Sequence, residues 1–260
     1  MKHELNALLT IATRDVTKLL NDKPRLLISF VFPLLFIGIL GTSLQSNLGS
    51  SLPYNFLTFV FTGVLGQIMF QSTASGIISL IEDRENDFSQ EIFVSPISRF
   101  TIIGGKILGE TGVSLFQAAG VVIFGLLIGV PLSGLVLLRI LPAMLVSAML
   151  GGAFGILVLA NLNSQRTANQ LFPLIIFPQF FLAGVFNPIK ELPWYLNILS
   201  HLAPMRYAVD FLRGAFYSGN PESQFVVLKP ILHNLLIITL MFVGFIVIGT
   251  WLFVRNERNR

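Results

Sequence analysis

Cysteine is missing from all 260 residues, which excludes a disulfide framework, a thiolate nucleophile and a cysteine-ligated metal. Charge is scarce as well. Asp, Glu, Lys and Arg make up 12% of the chain, about half of the roughly 25% carried by a soluble domain. Histidine is confined to His3, His201 and His233, on three distant segments with no carboxylate at ligand spacing, so no metal site is indicated. No serine lies in G-x-S-x-G, and nothing at membrane depth supplies the histidine and acid that a hydrolase would add to it. The phosphate loop G-x-x-x-x-G-K-[ST] is missing too: around Gly105-Lys106, Phe100 stands in the place of the first glycine and Ile107 in the place of the magnesium-binding hydroxyl. The chain is therefore expected to hold no cofactor and to have no ATPase site of its own. Its 17 Lys and Arg form no stripe of the kind that grips nucleic acid, which removes that partner.

What is present is apolar length. Hydrophobic residues make up 53% of the sequence and mean hydropathy is +0.77. A bilayer core of about 30 Å needs about 20 apolar residues per helical span, and six stretches qualify: 26–44, 57–81, 106–129, 135–159, 171–186 and 231–254. The fifth is short and holds Pro173 and Pro178, so a kink or incomplete crossing is expected there. The first run is longer than the apolar part of a signal peptide and lacks a small-residue cleavage site, so it reads as a retained span. The predicted class is an all-α polytopic membrane protein.

Positive residues are retained on the cytoplasmic side. With both termini inside, twelve of the Lys and Arg fall on that side and five outside. The expected placement is multi-pass in the plasma (inner) membrane with cytoplasmic termini and a short tail at 255–260. Ahead of the first span, Leu5, Leu8, Leu9, Ala12, Val16, Leu19 and Leu20 recur at spacings of three and four, which makes 1–25 an amphipathic helix lying in the cytoplasmic interface or packed on another subunit. No repeat or linker divides 26–254, which reads as one membrane domain.

Polar residues inside the spans are few. Glu110 is the one carboxylate within a span and has Lys106 at i−4; it is a structural ion pair or a proton relay. Gln67 and Gln71, with Ser72 and Ser75 nearby, form a stripe that suits interhelical hydrogen bonds or the wall of a polar pathway. Gly105/Gly109, Gly125/Gly129 and Gly151/Gly155 have the spacing for close helix approach.

Two segments outside the spans are patterned. Residues 82–100 carry Glu82, Asp83, Arg84, Glu85, Glu91 and Arg99 around an apolar set at Phe88, Ile92 and Phe93, and end in a turn at Pro96. An apolar stripe in a polar loop suits docking into a partner's groove. Residues 186–217 carry Pro188, Pro193, Trp194, Pro204, Tyr207, Asp210 and Arg213. Trp194 and Tyr195 suit the headgroup level. Asp210 and Arg213, at i and i+3, are placed to neutralise each other, which favours a helical hairpin dipping into the outer leaflet.

In these segments, VSPISR at 94–99 and LAGVFNPI, LPWYL and APMRYAVDFLR between 182 and 213, the chain resembles the membrane subunits of ABC-2 type exporters, and the likeness covers almost its whole length. It departs from the common pattern in having Asn86-Asp87 where members usually carry Gly-Thr. The resemblance implies a permease dimer, of two identical copies or two related chains, served by two cytoplasmic ATPase subunits that bind ATP and magnesium. It also implies that 82–100 is the coupling helix and 186–217 the outer re-entrant hairpin. The expected function is export of an amphipathic or lipid-linked substrate; the alternative is a proton-coupled secondary transporter using Glu110.

Overall fold

The computed structural model describes residues 2–85, 98–159, 162 and 164–258. Among these residues every regular element is helical. Helix α1 (Lys2–Asn21) is followed, after Asp22, by α2 (Lys23–Leu35), a π-helical stretch (Phe36–Gly41) and α3 (Thr42–Leu48), and these last three form one long rod. Pro33 lies within it. Its missing N–H breaks the i to i−4 ladder, and a widened turn is a usual way for a helix to absorb such a break.

Helix α4 (Phe56–Gly76) starts at Asn55, whose side chain accepts the Thr58 N–H at 2.9 Å, and α5 (Ile78–Glu85) continues it. Helix α6 (Arg99–Leu127) starts at Ser98, whose hydroxyl accepts the Thr101 N–H at 3.1 Å; both are side-chain N-caps. It ends at Gly129, whose φ of 85° lets Val130 N–H return to the Gly125 carbonyl at 2.9 Å. Then come α7 (Gly134–Leu159), α8 (Gln165–Leu182), the short helices α9 (Trp194–Leu202) and α10 (Pro204–Phe216), one turn at α11 (Ser223–Val226), and α12 (Ile231–Arg258).

Among the described residues, five helical segments are long and apolar enough to cross a membrane: Leu27–Asn47, Phe56–Asp83, Phe100–Leu127, Gly134–Leu159 and Ser223–Leu252. The expected run 171–186 is not among them. Helix α8 opens with the polar residues Gln165, Arg166, Thr167, Asn169 and Gln170, and Gly184, at φ 70°, turns the chain just after its end. Its apolar part, 171–182, rises only about 18 Å.

Helix α4 is the axis of the bundle. It is buried on nearly all sides, as a helix surrounded by others must be, and it packs against α6, α7 and α10. The approach of α7 depends on glycine: a Cβ at Gly151 or Gly155 would drive into the carbonyls of Phe70 and Ala74. Gly105 and Gly109 also make a close contact, with Ile11 and Ala12 of α1. Gly125 lies under the Phe61 ring, but Gly129 faces open space and serves the turn, so the third spaced pair is not a packing pair.

Candidate functional site

Between α2, α4, α6 and α8 lies an open cavity of about 720 Å³. One wall is aromatic. Phe32 comes from the kinked rod and Phe172, Phe177 and Phe180 from α8, with Phe32 and Phe180 ring centroids 6.4 Å apart and Phe177 and Phe180 5.9 Å apart. The opposite wall is polar and uncharged: Gln67, Gln71, Ser72 and Ser75 descend one face of α4, and Gln117 joins them from α6. Gln67 donates through Nε2 to Gln71 Oε1 at 3.1 Å, so the two readings of this stripe coincide: the amides bond to each other and also line a cavity. Glu110 is not part of that lining.

Glu110 belongs to a cluster at the Gly76 end of α4, where its carboxyl group lies against Gly76. Lys106 is buried there, with Nζ 2.8 Å from Asp15 Oδ2 and 3.9 Å from Glu110 Oε1. The pair expected from the i, i+4 spacing is present, but the nearer partner of the lysine comes from α1. The same helix reaches the end of α5: Arg14 bonds Asp83 Oδ2 at 2.6 Å and also meets Asp15 at 3.3 Å, and Lys18 meets Glu82 Oε2 at 3.3 Å. Glu82 and Asp83 thus face α1. Glu4 completes the link by accepting from Ser98 N–H at 3.1 Å and from the Thr101 hydroxyl at the first turn of α6. Those bonds, that of Thr101 foremost, hold the Glu4 carboxyl below its ordinary pKa. The sequence reading expected an amphipathic helix here and missed its salt bridges to α5, because the partners are 64 to 69 residues away in the chain. Leu5, Leu9 and Leu20 remain exposed on the side away from this contact.

Of the remaining candidates, Arg84, Glu85 and Arg99 fall in helices but their side chains lie outside the described residues, as do Phe88, Glu91, Ile92, Phe93 and Pro96 altogether.

The other end of α4 meets the pair α9 and α10. Neither is long enough to cross a bilayer: 9 and 13 residues rise about 14 and 20 Å. Helix α9 presents Trp194, Tyr195, Ile198, Leu199 and Leu202 outward, whereas α10 is buried along its length. Pro204 occupies its first turn, where a missing N–H costs nothing. Tyr207 donates its hydroxyl to the His201 carbonyl at 2.9 Å. Pro188 and Pro193 bracket the turn that leads into α9.

The expected Asp210–Arg213 pair does not form. Asp210 accepts from the N–H groups of Leu228 at 2.7 Å and Lys229 at 2.9 Å and from Asn234 Nδ2 at 2.7 Å, which ties α10 to the start of α12. Arg213 points the other way, donating to the carbonyls of Phe59 at 3.1 Å and Val185 at 3.4 Å and lying 3.8 Å over the Phe59 ring. Backbone groups left over at the ends of neighbouring segments claimed both side chains.

Membrane-length helices packed around one buried axis define a multi-pass helical membrane protein. A model of the ABC-2 type transporter family matches residues 6–217. The chain is 27% identical over 199 residues to a protein of Cyanophora paradoxa named as transport permease ycf38, across 75% of this chain and 69% of that one. It is 26% identical over 137 residues to one of Escherichia coli (strain K12) named as multidrug ABC transporter permease YbhR, across 52% of this chain and 37% of that one. The chain belongs to the ABC-2 type transporter family and is the membrane-spanning permease subunit of an ABC transporter. A permease of this kind works with a separate ABC ATPase subunit.

Proposed function

We propose that this permease exports an amphipathic or lipid-linked substrate, driven by ATP and magnesium held in two copies of a cytoplasmic ATPase. The observation that carries the reading is the cavity: about 720 Å³, aromatic on one wall, amide and hydroxyl on the other, with no charged residue in its lining. Such a lining accepts an apolar body with a polar tip and offers no path to a small ion. Glu110 lies outside it and beside a lysine, which removes support from a proton-coupled mechanism.

In this reading the protein sits in the plasma membrane with both termini cytoplasmic. Helix α8 is the fifth of six membrane segments and enters the bilayer incompletely, with Leu174 at 70% and Phe181 at 51% exposed and turned toward lipid or a second permease copy. Residues 82–100 couple the ATPase to the bundle. Helix α1 grips both ends of that segment, Glu82 and Asp83 at its start and Ser98 near its close, so a push on the segment reaches α6 through α1. Helices α9 and α10 form the outer hairpin, with Trp194 and Tyr195 at the headgroup level.

The test is to fill the cavity. Ser72→Trp, reconstituted with the ATPase in liposomes, should lose export of a fluorescent amphiphile down to the level of ATPase-free vesicles while still binding the ATPase. Export at the wild-type rate from that variant would overturn the reading.

A further inference from the structure

Gln67 is 2% exposed and lines the cavity. Its Nε2 is committed to Gln71, but its Oε1 is buried with no hydrogen-bond partner. A buried carbonyl oxygen without a donor carries a desolvation cost that nothing offsets. Turning both amides over leaves the count unchanged: one acceptor and one amide donor of the pair stay uncommitted, at opposite ends. The rest of the lining offers only hydroxyls and Gln117 as polar groups, so no full charge is available to balance a charged guest.

We infer that the cavity selects an uncharged amphiphile whose hydroxyl or carboxamide, able both to donate and to accept, reaches the Gln67–Gln71 pair, with its flat or acyl body against Phe32, Phe177 and Phe180. This rests on the proposed function of the cavity and names the chemistry of its guest. Gln71, half-buried, opens the pair to the cavity, and Gln67 holds it in place through their mutual hydrogen bond. A guest of the same shape without the polar head leaves the amides as they are in the empty cavity, and a charged guest loses its hydration with nothing to replace it.

The test uses an isosteric pair, 9-(hydroxymethyl)anthracene and 9-ethylanthracene, together with 9-anthracenecarboxylate. Binding to the full permease in nanodiscs is read by fluorescence against empty nanodiscs. The ratio of hydroxymethyl to ethyl affinity is then compared between wild type and Gln67→Met, which cancels lipid partitioning. The ratio should fall about tenfold in the variant, with the ethyl probe bound equally by both proteins, and the carboxylate should bind weakest in wild type. Thr239→Val, on α12 and outside the lining, should leave the ratio unchanged. Should Gln67→Met fail to accumulate, Gln71→Met removes the other half of the pair and must also lower the ratio. An unchanged ratio in these variants, or a carboxylate bound as tightly as the alcohol, overturns the inference while leaving the cavity a binding site. Absence of binding by all three probes overturns the cavity reading as well.

Discussion

The two ends of α4 bury charge in opposite ways. At the Gly76 end charge meets charge: Lys106 sits between Asp15 and Glu110, and Arg14 bridges Asp15 and Asp83. At the Phe59 end charges meet backbone: Asp210 gathers two N–H groups and an amide, and Arg213 takes two carbonyls and a ring face. Ion pairs between separate helices have alternative partners at hand and respond to the removal of either member. Side chains that satisfy loop ends hold one geometry. The first arrangement suits a place where helices shift against each other and the second a fixed lid.

The largest effect is expected from Lys106→Met, which leaves two buried carboxylates facing each other and should cost about 3–5 kcal/mol, read as a fall in the thermal midpoint of the purified permease. Adding Asp15→Asn should recover part of that loss. Next, Asp210→Ala strips three donors of their acceptor at about 1 kcal/mol or more each, about 3 kcal/mol together. Here a second change, Arg213→Met, should add to the loss without recovery, since no salt bridge joins the two residues and each bonds to its own set of groups. Additive behaviour at the Gly76 end, or recovery at the hairpin end, would break the contrast. Arg14→Gln is smaller: its side chain is 36% exposed, and a partly solvated bridge contributes about 0.5–1 kcal/mol. Smallest is Glu4, which lies half-exposed at the surface. Its lowered pKa means that its bonds to Ser98 and Thr101 favour the docked helix above the ordinary carboxylate range and are lost as pH falls through the lowered value. The protection of α1 against hydrogen exchange, corrected for the intrinsic pH dependence of the exchange rate, should therefore fall on acidification, and Glu4→Gln should remove that dependence.

These contrasts also mark what the sequence discloses. Five of the six expected spans were visible as uninterrupted apolar runs, and the close approach of α7 at Gly151 and Gly155 was visible in their spacing. The run at 171–186 was not a reliable guide, because the polar turn that opens α8 and the glycine that ends the segment shorten its apolar helix. Gln67 and Gln71 announced themselves by local spacing, but the cavity did not. Its walls come from residues as far apart as Ile28 and Phe180, and no periodicity joins them. The pairing of Asp210 was misread for the same reason: i, i+3 spacing named Arg213, while the groups that needed an acceptor were 18 to 24 residues further on.

The central claim is that a separate ATPase drives an uncharged amphiphile through a permease with no proton path. Efflux of 9-(hydroxymethyl)anthracene from proteoliposomes would be followed under ATP with the ATPase present, and under an imposed proton gradient with the ATPase absent. The account predicts flux only in the first condition, with the same rate in Glu110→Gln. Flux in the second condition that disappears in Glu110→Gln would contradict it.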